Sequence, residues 1–61
     1  MVTGFRTEGT EEKGKWELYG NATDTAPDGT FKGSELMNGS SYFNMTTQSV
    51  QFWDEENQAW V

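Results

Sequence analysis

The sequence predicts an all-β domain, a small antiparallel meander or hairpin sheet of about five short strands with a long irregular central loop. Three observations lead there. No window of a dozen residues places apolar side chains at i, i+3, i+4 and i+7, and Gly and Thr are scattered throughout, so helix signals are poor. Residues 15–19 alternate in the period-two manner of a strand. The last third consists of short aromatic runs separated by polar turns.

Taken in order, Val2 to Thr7 forms the first strand, ended by the charged, Gly-punctuated stretch from Glu8 to Gly14. Lys15 to Tyr19 is the second, with Trp16 and Leu18 on one face and Glu17 and Tyr19 on the other. A long hairpin joins the two. Gly20 to Gly33 is the irregular loop, because Asn21, Asp24, Pro27, Asp28, Gly29 and Gly33 are all turn formers. Phe31 is expected to pin that loop onto the core. Ser34 to Met37 fits either one helical turn capped by Ser34 or an extended lead-in. Asn38-Gly39 fits a tight hairpin turn.

The final third reads as a three-stranded meander. Ser41 to Met45 and Ser49 to Trp53 are strands around the turn Thr46-Thr47-Gln48, and Ala59-Trp60-Val61 returns after the polar turn Asp54 to Gln58. Phe43 and Met45 share one face, as do Val50 and Phe52, with Gln51 and Trp53 opposite. The expected inner face is mostly apolar, with Trp16 and Phe52 internal.

Sixty-one residues fit one domain, 1–61, in which a lone core contributes only a few kcal/mol. Leu, Ile, Val and Phe together number nine, which with net charge −6 is the composition of a chain that folds only on binding. Three Trp, two Tyr and four Phe argue instead for a compact aromatic core or an adhesive face, since each ring buries roughly 150–250 Å². Stability then rests on aromatic burial, on a partner surface, or on identical copies.

Charge and residue types narrow the chemistry. Ten acids against four bases disfavour nucleic acid and anionic membranes as partners. With no His and no Cys there is no His or Cys nucleophile pair and no thiolate or imidazole metal site, and nothing suggests a Ser–Lys dyad. The acids Asp54, Glu55 and Glu56 fall in a turn, where carboxylates are ordinarily solvated. Asp24-Thr25-Ala26-Pro27-Asp28-Gly29 lacks the ligand spacing of a calcium loop. The expectation is a non-enzyme without cofactor or metal. Asn21, Asn38 and Asn44 each head a glycosylation triplet, read as a by-product of a Ser/Thr-rich β sequence. No signal segment or membrane-length apolar run is visible, so synthesis in the cytoplasm is expected.

Residues 38–61 resemble a recurrent piece of small structural or accessory proteins of tailed bacteriophages and prophages. Those proteins carry a Gly-Ser (Gly39-Ser40), an aromatic strand (Tyr42-Phe43), a Thr-containing turn, a Val-x-aromatic strand (Val50-Gln51-Phe52), an acidic or Asn-rich turn, and a closing Trp-aliphatic (Trp60-Val61). Trp16 to Gly20, followed by Asp24, Thr25 and Pro27, is similar to their upstream half. The match spans about two-thirds of the chain. It departs at Thr46-Thr47-Gln48-Ser49, where an Asp-Thr-Gly-Lys pattern is more usual. The resemblance implies a virion protein on head, tail or fibre, made in the host bacterium, with no catalytic residues.

The expected function is therefore assembly. Aromatic side chains or strand edges dock onto other virion subunits or onto the chain itself, as a homo-oligomer or bound to a lattice, with Tyr42, Trp53 and Trp60 as contact or core anchors. An alternative is a carbohydrate-binding module whose platform is Trp16, Tyr19, Tyr42, Trp53 and Trp60. A third is a phage inhibitor that mimics an acidic surface.

Overall fold

The computed structural model describes residues 1–61 as seven strands and no helix. They are β1 (Thr3–Gly9), β2 (Lys13–Gly20), β3 (Thr30–Phe31), β4 (Ser34–Leu36), β5 (Ser41–Asn44), β6 (Ser49–Asp54) and β7 (Ala59–Trp60). The all-β expectation and most strand positions hold. The expected five-stranded antiparallel meander does not, because the sheet is mixed and curled: β2 pairs in parallel with both β4 and β5.

The parallel pairings follow from what the middle of the chain does. A parallel connection needs a crossover of a dozen or more residues. Residues 21–33 supply it, leaving the end of β2 and re-entering beside its start, where Lys13 and Gly14 meet Glu35 and Leu36. The irregular central stretch is thus a covering layer. Ala26 and Phe31 pack against the core, and the Trp60 indole N–H donates to the Pro27 carbonyl at 2.8 Å. Phe31 meets Trp16 edge-on, with centroids 5.2 Å apart, and so does pin the crossover down.

Ser34 to Leu36 is extended, not helical. It pairs with β3 through the two-residue turn Lys32-Gly33, whose φ angles of 51° and 81° are those a hairpin matched to strand twist requires. Asn38-Gly39 is a tight turn but not a hairpin. The Ser40 N–H donates to the Met37 carbonyl at 3.1 Å, and Gly39 has φ 88°, the geometry of a type II turn. It links β4 to β5 so that both lie end to end along one edge of β2. At the junction the buried Ser40 hydroxyl takes the Trp16 backbone N–H at 3.1 Å, replacing the ladder bond a continuous strand would have made.

Two hairpins complete the sheet. β1 and β2 form the expected long hairpin, with an irregularity between Arg6 and Glu8. β5, β6 and β7 form the expected meander, with Phe43 opposite Val50 and Trp53 opposite Trp60. Its two turns are built alike. In the first, Asn44 Oδ1 accepts the N–H groups of Thr46 and Thr47, and Gln48 has φ 60°. In the second, Asp54 Oδ1 accepts those of Glu56 and Asn57, and Gln58 has φ 51°.

The core is small. Leu18, Leu36, Tyr42 and Trp53 are buried, and Val2, Trp16, Ala26, Phe31 and Trp60 pack around them. Burying a Leu side chain is worth about 1.5–3 kcal/mol, so the large rings supply much of what holds the fold. Gly20 makes room for one of them, since a Cβ there would lie 2.2 Å from the Tyr42 hydroxyl.

Candidate functional site

Strand register sorts the side chains into two faces, because directly paired residues point the same way. On the inner face, under the crossover, Gly4, Leu18 and Tyr42 form one row. Arg6 and Trp16 stand in the next row, with Trp53 and Trp60 paired at its far side. On the outer face, Phe5, Glu17, Ser41 and Phe52 form a continuous row, and Thr3, Tyr19, Phe43 and Val50 a second. Phe52 and Val61 exchange both backbone hydrogen bonds, which extends the first outer row by one residue.

The outer rows are the candidate interaction surface. Nothing in the chain covers them. Phe5, Val50 and Phe52 are each about half exposed (52%, 50% and 50%), and Val61 is exposed at 66%. Tyr19 and Phe43 lie half-buried between them, edge to face with centroids 6.4 Å apart. Contiguous apolar surface of this kind ordinarily marks a contact site. No concave pocket interrupts the molecular surface.

The residues singled out from sequence lie elsewhere. Tyr42 and Trp53 are buried at 4% and 3% exposure, and Trp60 is half-buried against both, with centroids 5.8 and 5.3 Å away. The Trp53–Trp60 pair occupies a position without direct backbone hydrogen bonds, the arrangement that brings cross-strand side chains closest. In the isolated chain these three rings serve as core anchors. Trp16 is internal as expected, its indole N–H donating to the Ser34 hydroxyl at 3.2 Å.

Phe52 corrects the expectation that it is internal. Val50 and Phe52 lie on the outer face, and Trp53 lies on the inner one. Alternation along β6 is apolar on both sides, so it gives the period without saying which side meets the core. The crossover settles that, because Trp60 reaches Pro27 from the inner face. The five-ring sugar platform is likewise divided: Trp16, Tyr42, Trp53 and Trp60 are on the inner side and Tyr19 is on the outer one.

Electrostatics concentrate off the outer face. The Asn21 backbone N–H, with the Met1 ammonium beside it, holds the Asp24 carboxylate below its ordinary range; both contacts are 2.8 Å. A hydrogen bond from Lys13 to Glu55, 2.5 Å long, raises the lysine. The Tyr42 hydroxyl is buried without a hydrogen-bond partner, and desolvation pushes its ionisation up. On the outer face the charges are Glu17, Lys15 and, at one corner, Glu8.

Comparison with protein-family models, curated proteins and solved structures found no match to this chain.

Proposed function

We propose that the chain is a structural assembly protein, a bacteriophage virion component that docks onto capsid or tail through aromatic contacts and strand edges. The observation that carries this reading is the uncovered outer face with Phe5, Tyr19, Phe43, Val50 and Phe52. Phe43, Val50 and Phe52 belong to the segment 38–61 that resembles phage structural proteins, so the contact surface and the resemblance fall on the same strands. A core of four buried residues gains stability by mass action when a partner binds the folded form. The free edge of β1 from Thr3 to Arg6 offers a second means of attachment, by strand addition. The irregularity after Arg6 and the charges of Arg6 and Glu8 limit how far such pairing can run.

The test uses particles of the phage or prophage that encodes the chain. Banded through a density gradient, they carry the wild-type chain at fixed stoichiometry, and the paired substitutions Phe43→Lys and Phe52→Lys remove it from the band. Recovery of the wild-type chain only from the soluble fraction, with clean particles, overturns the proposal.

A further inference from the structure

Resting on that reading of the outer face, we infer that its occupant is a second copy of this chain, the two sheets packing face to face around a two-fold axis that runs along β5. Strand order on this part of the sheet is β2, β5, β6, so such an axis lays β2 of one copy over β6 of the other. The outer rows match themselves under that operation. In one, Phe43 meets its own counterpart while Tyr19 meets Val50 of the second copy. In the other, Ser41 meets its counterpart and Phe5 reaches the end of the row that Phe52 and Val61 occupy. An isologous contact requires this kind of self-complementary patch.

Charge permits the pairing despite a net −6 per chain. The acids Glu11, Glu12, Asp24, Asp28, Glu35, Asp54, Glu55 and Glu56 all lie away from the outer face. With sheets ~10 Å apart and strands ~4.8 Å apart, the two Glu17 side chains are roughly 14 Å from each other. That exceeds the ~8 Å screening length at physiological salt. Each Glu17 also stands beside Ser41, whose hydroxyl offers its carboxylate a donor.

Size sets the expected strength. The molecule measures 29 × 21 × 16 Å, so its broadest face projects to about 600 Å². Two such faces bury at most about 1,200 Å², the lower boundary of specific interfaces. A dimer in the micromolar range follows, held mainly by apolar contact and opposed by net charge.

Sedimentation equilibrium of the purified full chain from 1 µM to 1 mM tests this. The expected result is a monomer–dimer equilibrium that tightens as NaCl rises from ~50 to ~500 mM, because salt screens the repulsion between acidic chains. Phe43→Lys and Val50→Lys each weaken it at least ~10-fold, as central contacts do, while Lys32→Glu on the opposite side leaves it unchanged. Far-ultraviolet circular dichroism and urea midpoints confirm that each variant compared is folded. A monomer at 1 mM, an association that loosens with salt, or one indifferent to both substitutions overturns the inference. Particle banding is a separate readout: a monomeric chain that still bands with particles removes the second copy as occupant and leaves the assembly role standing.

Discussion

Gln48 and Gln58 occupy the left-handed backbone region with φ of 60° and 51°, where a side chain costs roughly 1–2 kcal/mol that glycine avoids. In the resembling phage proteins the position of Gln48 is glycine, so the turn keeps its shape here despite the missing glycine. The Asx side chain at its start supplies the reason, since Asn44 and Asp54 each fix two backbone N–H groups. Gln48→Gly is expected to raise the urea midpoint by an amount worth about 1 kcal/mol, the gain in turn geometry being partly offset by the looser unfolded chain. Gln58→Gly should gain less, because its side-chain amide donates to the Glu55 carbonyl at 2.7 Å. Equal or lower stability for Gln48→Gly would show that the glutamine sits there without strain.

Among the elements, the joint between β4 and β5 depends on one hydroxyl. Ser40 is fully buried and accepts the Trp16 N–H at the point where β2 passes from one parallel partner to the next. Ser40→Ala leaves that donor without a partner and should destabilise the fold by about 1–3 kcal/mol. Amide exchange at Trp16 then accelerates by more than at β1 amides; uniform acceleration would mean a general loss of packing. Strand positions at this scale were largely legible from sequence, because Gly, Asn and Asp punctuate the chain and the aromatic runs alternate. The parallel joints were not. Period and propensity describe a strand by itself, while its partner depends on where residues 21–33 deposit the returning chain. The interaction surface was misassigned for a related reason. Tyr42, Trp53 and Trp60 are the largest rings of the meander, and both faces of β6 are apolar, so size and spacing mark them as important without saying which way they point. The signal that was available is pairing by size: the side with two Trp outweighs the side with Phe43, Val50 and Phe52.

At the level of the whole molecule, the N-terminal segment and the crossover are tied together by charge. Asp24 accepts the Asn21 N–H and pairs with the Met1 ammonium across 23 positions. Its folded-state pKa is depressed, so its contribution is complete above the unfolded value near 3.9 and is lost as pH falls through the folded one. The urea midpoint of the wild-type chain is therefore expected to fall more steeply between pH 5 and pH 2 than that of Asp24→Asn. Parallel curves for the two would remove Asp24 as a source of acid sensitivity. The same crossover decides which side of the sheet is covered and which is open, so one 13-residue passage sets both the core and the contact surface.

The division of rings between the two faces also has a spectroscopic side. Trp16, Trp53 and Trp60 all belong to the covered side, and the open side bears only phenylalanine and tyrosine. Indole emission thus follows unfolding faithfully while staying nearly blind to whatever settles on the open side. A binding event there registers in hydrodynamics or in tyrosine signals first.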